Sequence, residues 1–221
     1  KGALPATIGL PQNMGLRGSL SGSALHAIAN LTLSSSLGNI SLNGQINHAD
    51  DKQRAAYAAR VGIHQLQLNK LLKNDSLLGP VTATFSASGK GFDPEKANAR
   101  LEGNIVSAVL NRYTYQDIAI RGSLEAQQAG FSLSIDDPHI QLAFDGSGDI
   151  STDFPSIRLN GSIDKLETLP LHLTTDTISY RGHITANFPV TDPDRPEGTL
   201  YITGSALSLN GKQYAPDTIS L

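Results

Sequence analysis

The chain has 221 residues, a formal net charge of -3 and no cysteine. Its basic residues are spread along the sequence, which excludes the concentrated basic patch of a nucleic-acid-binding protein. The lack of cysteine excludes disulfides and thiolate metal sites. The sequence contains neither a run of roughly 18 apolar residues nor a signal peptide, so we expect any membrane anchor or export signal to lie outside it, in a longer protein.

One short motif recurs along the whole chain: an apolar residue, any residue, glycine, any residue and a second apolar residue. Alternating polarity of this kind predicts β-strands with one apolar face. The copies are LRGSL (16–20), LNGQI (42–46), LEGNI (101–105), IRGSL (120–124), LNGSI (159–163), YRGHI (180–184) and ITGSA (202–206). Their irregular spacing does not fit a propeller or a leucine-rich repeat. It indicates one strand type that is used many times.

Further alternating segments lie between these copies, among them FSLSI (131–135) and IQLAF (140–144). Turn sequences such as DDPH and TDPDRPEG separate the segments. Because short connections require antiparallel neighbours, the order predicts an antiparallel meander. Only residues 65–79 and 164–171 have helical patterns, and we expect each to form at most a very short helix.

A looser internal similarity indicates two related units, at about 1–127 and 128–221, within a single elongated all-β chain. In each unit a Leu-Asn pair is followed by a tyrosine four residues after the asparagine. These residues are Asn111 with Tyr115, and Asn210 with Tyr214.

The strand IRGSL raises the question of what the apolar side faces, because Gly122 leaves a hollow between Ile120 and Leu124. Three solutions are open: a two-sheet sandwich, a closed barrel, or an elongated curved sheet that forms an open trough. Aromatic residues make up only 5% of the chain, which disfavours a thick sandwich core and the aromatic girdles of a membrane barrel. We therefore predict a curved antiparallel sheet with an apolar concave face and two long edges available for further strands.

The predicted groove lining follows from the two-residue period of the strands. We expect these residues to share one face: Ile118, Ile120, Gly122, Leu124, Phe131, Leu133, Ile135, Ile140, Leu142, Phe144, Ile157, Leu159, Gly161 and Ile163. The opposite face should carry polar residues such as Ser132, Ser134, Gln141, Arg158 and Asn160.

Catalytic and metal sites have weak support in the sequence. The six histidines (26, 48, 64, 139, 172 and 183) are not spaced as metal ligands and are interpreted as surface or strand-end residues. Asp136 and Asp137 precede Pro138 and are interpreted as turn residues. Asp192, Asp194 and Glu197 could supply oxygen ligands to calcium, but their spacing matches no calcium loop. With no catalytic motif present, we expect no enzyme activity and no cofactor.

Three features resemble the TamB and AsmA-like family of bacterial envelope proteins: the glycine-containing strands, SASGKGFDPEKANARLEGNI (86–105) and LNRYTYQDIAIRGSL (110–124). The asparagine and lysine content and the ending NGKQYAPDTISL (210–221) resemble the Bacteroidetes branch. The resemblance implies an internal periplasmic fragment of a long protein anchored in the inner membrane. It also implies a taco-shaped sheet whose apolar groove carries phospholipid towards the outer membrane, or supports outer-membrane protein assembly with a barrel partner bound outside this fragment.

Two functional hypotheses follow. The first is a non-enzymatic lipid-transfer module with phospholipid acyl chains as its partners. The alternative is a β-rich structural spacer or surface-exposed adhesion protein that binds no lipid.

Overall fold

A computed structural model describes residues 9, 11–23, 25–72, 77–93, 95–195, 197–216 and 218–220. They form 14 strands and one short helix. The elements are β1 (Met14–Gly22), β2 (His26–Ser35), β3 (Gly38–Asn47), β4 (Ala56–Gln67), α1 (Leu68–Leu71), β5 (Leu78–Lys90), β6 (Asn98–Leu110), β7 (Tyr113–Glu125), β8 (Gln128–Asp137), β9 (Ile140–Asp149), β10 (Ile157–Glu167), β11 (Ile178–Val190), β12 (Glu197–Leu209), β13 (Lys212–Tyr214) and β14 (Thr218–Ser220).

The strands form one open, curved antiparallel sheet with the order of a simple meander. Each strand from β1 to β12 pairs with the next in sequence, and β14 pairs with β12. All seven copies of the glycine motif lie within strands. The predicted all-β meander is therefore confirmed.

Tight turns connect several of the strands. Asn111 and Arg112 have φ of 50° and 66°, and Asn210 and Gly211 have φ of 49° and 84°. Positive φ at both central residues is the signature of the type I′ turn that suits twisted hairpins. Both Leu-Asn corners thus form equivalent hairpins, β6–β7 and β12–β13. The division into two related units at about residue 127 stays a prediction.

Bulges cross the sheet near one end of the strands. The pairing register shifts between Ile63 and Leu66 in β4, and between Ile163 and Leu166 in β10. A further shift between β11 and β12 lies near Gly204, whose φ is 60°. Bulges bend a strand and increase its twist, so this line of bulges contributes to the curvature of the sheet.

The sheet has a single layer. Substantial contacts between the described elements join only paired strands, apart from α1 against β5. The accessible surface is 14240 Å², whereas a compact protein of 23.4 kDa would expose roughly 9,700 Å². The described residues include only a few buried apolar side chains, and most of those are small: Leu37, Ala55, Leu66, Ala83, Ala97, Leu171 and Ala186. A sandwich core is excluded.

The prediction of a very short helix in 65–79 is confirmed by α1, whereas the helix prediction for 164–171 and one edge prediction are wrong. In the segment 65–79, residues 65–67 end β4, α1 contains only four residues, β5 begins at Leu78, and residues 73–76 lie outside the described residues. In the segment 164–171, residues 164–167 continue β10 and the rest form turns. Of the two predicted open edges, the one at β12 is partly covered by β13 and β14.

Candidate functional site

One face of the sheet is apolar from one edge to the other. Residues directly opposite each other in paired strands point to the same face, so the pairing register defines rows of side chains that cross the strands. A first row crosses every strand except β13, and each of its members is directly paired with the next. It contains Gly18, Leu31, Leu42, Val61, Phe85, Gly103, Ile120, Leu133, Phe144, Gly161, Ile184, Ile202 and Ile219.

Two further rows flank the first on the same face. The second row lies beside the bulges and contains Leu16, Leu33, Ile40, Ile63, Ala83, Ile105, Ile118, Ile135, Leu142, Ile163 and Gly182. The third row contains Leu20, Ala29, Gly44, Ala59, Ala87, Leu101, Gly122, Phe131, Gly146, Leu159, Ala186 and Leu200. The three rows contain only aliphatic residues, phenylalanine and glycine. We call this surface the apolar face.

All 14 predicted groove residues lie on the apolar face. Eleven of them belong to the three rows. The other three continue the same face: Leu124 is opposite Ala129, Ile157 is opposite Phe188, and Ile140 is opposite Leu166. The five predicted polar-face residues point to the other side. Whether the 14 residues contact lipid stays a prediction.

Aromatic rings lie over several glycines of the apolar face. A Cβ added at Gly161 would lie 2.2 Å from Cδ1 of Phe144, and one at Gly146 would lie 2.0 Å from Cε1 of Phe131. Tyr57 with Gly89 and Phe85 with Gly103 repeat the arrangement. In each directly opposed pair the ring is on one strand and the glycine on the next. These glycines accommodate a neighbouring ring, and they do not leave the hollow expected from the sequence.

Gly122 is different, and here the hollow remains. A Cβ at Gly122 would meet only Cβ of Leu101, at an ordinary distance of 3.6 Å. The ring of Phe131, although opposite Gly122, lies over Gly146 on the other side. Leu101 is 44% exposed and Phe131 is 47% exposed. The strand IRGSL thus contributes an uncovered, shallow apolar depression.

The polar face carries mostly short hydroxyl and amide side chains with scattered charges. Arg121 lies opposite Glu102 on β6 and Ser132 on β8. Shallow hollows on this face are lined by residues such as Asn43, Arg60 and Ser86. The two faces therefore differ sharply in polarity.

A polar cluster around a buried carboxylate lies at the end of the sheet where the bulges occur. Asp137, the last residue of β8, is fully buried. Its carboxylate accepts hydrogen bonds from the Tyr113 hydroxyl, from the amide N of His139 at 2.9 Å and from the amide N of Gln116 at 3.1 Å. Because each carboxylate oxygen has a donor, the charge is compensated inside the protein. Burial and the hydrogen bond to Asp137 raise the pKa of Tyr113.

An ion pair extends this cluster. His139 Nδ1 donates to Glu167 Oε2 at 2.7 Å, and Lys165 Nζ lies 3.4 Å from the same oxygen. The hydrogen bond from His139 is the main reason that the pKa of Glu167 is lowered. Lys165 Nζ also donates to the carbonyl of Pro138 at 2.7 Å. Tyr113, Asp137, His139, Lys165 and Glu167 together form what we call the Asp137 cluster.

The loop after β10 covers this end of the sheet. His172 Nδ1 donates to the carbonyl of Asn111 at 3.0 Å, and Asn111 Nδ2 donates to the carbonyl of His172 at 2.5 Å. Leu171 beside it is fully buried. The loop therefore joins the β6–β7 hairpin to the end of β10.

The interpretation of Asp137 as a simple turn residue was incomplete. It does accept a hydrogen bond within the turn, but it is also the centre of a cluster that joins β7, β8 and β10. Tyr113 and Gln116, which donate to Asp137 across the sheet, are 24 and 21 residues away in sequence, so no local pattern could have identified the cluster. Asp192 accepts a hydrogen bond from the amide of Asp194, and the described residues contain no group of three potential metal ligands.

No helix in the described part of the chain is long and apolar enough to span a membrane. Comparison of the chain with family models, curated proteins and solved structures finds no match.

Proposed function

We propose that this chain is a hydrophobic-groove segment of a bridge-like lipid-transfer protein of the TamB and AsmA-like type, which carries phospholipid through the periplasm. The observation that supports the proposal is the apolar face, which has three unbroken rows and over which none of the described residues forms a second layer. Exposed apolar surfaces of this extent are typical of interaction sites. As part of the proposal, the resemblance in sequence implies an inner-membrane anchor and a contact with an outer-membrane barrel partner in regions outside this chain.

The dimensions of the apolar face suit acyl chains. Eleven strand spacings of about 4.8 Å separate β1 from β12, which gives a length of about 53 Å. Rows on one face are about 6.8 Å apart, because every second residue points to the same side. Grooves between rows therefore run across the strands, and acyl chains would lie in these grooves, pointing from one sheet edge to the other.

The energetics favour loose binding that permits movement. Complete burial of a methylene contributes about 0.8 kcal/mol, and an acyl chain lying on an open face would gain roughly half of this. Because the rows contain no polar group, they offer no anchor for a particular headgroup. Specificity for headgroups should accordingly be low.

Adjacent residues of β9 provide a matched test. Leu142 belongs to the second row, between Ile135 and Ile163, whereas Ala143 lies opposite Ser134 and Ser162 on the polar face. Leu142→Arg places a cation among acyl chains, which costs several kcal/mol unless the charge is paired. Ala143→Arg adds the same charge to the polar face, which is exposed to water. In the full-length protein, we expect Leu142→Arg to impair envelope integrity and Ala143→Arg to leave it unchanged.

Direct contact can be measured with photo-crosslinking residues at Ile120 and Leu142, and at Ala119 and Ala143 as controls. Phospholipid adducts should form at the first pair and not at the second. Mass spectrometry of extracted lipid gives the bound species. If correctly folded variants give no adduct on either face and envelope integrity is unchanged by Leu142→Arg, the structural-spacer function is supported instead.

A further inference from the structure

A groove runs across the polar face between two neighbouring rows of side chains. One row passes through Arg60, Glu102 and Arg121, and the other passes through Arg100 and Arg158. Hollows of about 550, 380 and 420 Å³ follow one another between the two rows, and each shares residues with the next. Together they form one groove from β2 to β11, which we call the polar groove. At a strand spacing of about 4.8 Å, its length is about 43 Å.

The cations of the polar groove are arginines, and none of the described lysines lies in either row. The four arginines are exposed, and none of them forms an ion pair with another described residue. Each is directly opposite at least one serine on a neighbouring strand. A guanidinium binds a carboxylate through two parallel hydrogen bonds, a geometry that lysine does not reproduce. The groove therefore offers sites for carboxylates beside hydroxyl groups.

The arginines are spaced along the polar groove and do not form a dense patch. From the strand and row spacings, about 8 Å separates the Cα atoms of Arg100 and Arg121, and about 16 Å separates those of Arg121 and Arg158. Glu102 and Asp145 lie in the row of Arg121. These carboxylates would repel a partner with closely spaced negative charges, such as nucleic acid. The spacing fits a polymer whose carboxylates are separated by neutral units.

The rest of the polar groove is mostly neutral and hydrogen-bonding. Amide side chains line its β2 end, including Asn30, Asn43 and Gln45. Ile28 is the one large apolar residue of the two rows between β2 and β11, and no aromatic residue belongs to either row there. Protein interfaces depend on apolar and aromatic anchors, so the groove does not fit a protein partner. Amide, hydroxyl and carboxylate groups are hydrogen-bonding partners for the hydroxyls of a sugar.

We propose that the polar groove binds an acidic polysaccharide, a linear glycan that bears carboxylates along its length. The glycan carboxylates would pair with the four guanidinium groups, and the glycan hydroxyls would hydrogen-bond to the side chains between them. Because the groove and the apolar face are on opposite sides of the sheet, glycan and lipid would bind to the same segment at once. Glycan binding goes beyond the proposed function and does not depend on it.

Calorimetric titration of the chain with oligomers of polygalacturonate tests the binding, and fully methyl-esterified oligomers of the same length are the uncharged control. We expect the acidic oligomer to bind more tightly than the ester, and less tightly as salt is added. Arg100→Gln and Arg121→Gln should each raise the dissociation constant about threefold, and the double variant should raise it about tenfold. Arg112→Gln removes the same charge from the exposed β6–β7 turn, outside the groove, and should leave the constant unchanged.

Failure of the acidic oligomer to bind to the correctly folded chain, or equal affinity for the ester, would overturn the proposal. An equal loss of affinity in Arg112→Gln would also overturn it, because the attraction would then depend on charge alone. Tighter binding of polyglutamate than of polygalacturonate would indicate an acidic protein segment as the partner instead. Phospholipid adducts at Ile120 should be the same in Arg100→Gln as in the wild type, so a failure of glycan binding is distinguishable from a failure of lipid binding.

Discussion

Two glycines at the same position of the repeated motif should respond oppositely to alanine. At Gly161 the new Cβ would lie 2.2 Å from Phe144 Cδ1 and 2.7 Å from the Ala143 carbonyl oxygen. The ring and the backbone would both have to shift, and such overpacking costs about 1–3 kcal/mol. At Gly122 the Cβ would meet only Leu101, at 3.6 Å. There the smaller conformational entropy of the unfolded chain should stabilise the fold by about 0.4–1 kcal/mol.

The two variants should therefore differ by about 1.4–4 kcal/mol in the free energy of unfolding. In a chain of this size that corresponds to a difference of roughly 3–16 °C in melting temperature. Urea unfolding followed by circular dichroism gives the free energies, and amide hydrogen exchange shows whether the loss of stability is located in β9 and β10. Phe144→Leu should reduce the penalty of Gly161→Ala, as a double-mutant cycle would show. Equal effects of Gly161→Ala and Gly122→Ala would refute this account of the glycines.

Two predictions concern the Asp137 cluster. Tyr113→Phe removes a hydrogen-bond donor from the buried carboxylate of Asp137, so it should lower the free energy of unfolding in urea by about 1.5–3 kcal/mol. Tyr115, whose ring packs against that of Tyr113, provides the control, and Tyr115→Phe should change this free energy by less than about 0.5 kcal/mol. Similar losses in both variants would contradict the role of the hydroxyl. The lowered pKa of Glu167 means that the stabilising hydrogen bonds from His139 and Lys165 to its carboxylate are fully present above the unfolded pKa of about 4.3 and are lost as pH falls through the folded value. The free energy of unfolding of the Glu167→Gln variant should therefore decrease less than that of the wild type below about pH 4.3. The same decrease in both proteins would show that Glu167 does not contribute to the pH dependence.

The strands and their apolar face were predictable because strand period and turn residues are local signals. A single sheet with no covering layer allows the two-residue alternation to continue across nearly every strand. The wrong helix prediction for residues 164–171 begins at a bulge in β10. Ile163 and Leu166 are three residues apart and share a face because this bulge lies between them. That spacing is the same as the spacing of apolar residues along one side of a helix.

The cross-strand and long-range features were beyond the reach of sequence patterns. Which glycine lies under a ring depends on register, and the register decides that Phe144 covers Gly161 while Gly122 remains uncovered. Asp137 is in contact with Tyr113 and is close to a pair formed by His139 and Glu167, 28 residues apart in sequence. These contacts arise only when the meander is assembled.

The meander places most of the stability of the protein in contacts between successive strands, which makes the fold quasi-one-dimensional. As in repeat proteins, the free energy is then approximately a sum of strand terms and nearest-neighbour interface terms. Unfolding should begin at the outermost strands and move inward, so that amide hydrogens of the outermost strands should exchange faster than those of the central strands. The same arrangement allows evolution to insert or delete a whole hairpin in the meander without reversing either face, since two added strands restore both the direction and the side of every strand that follows.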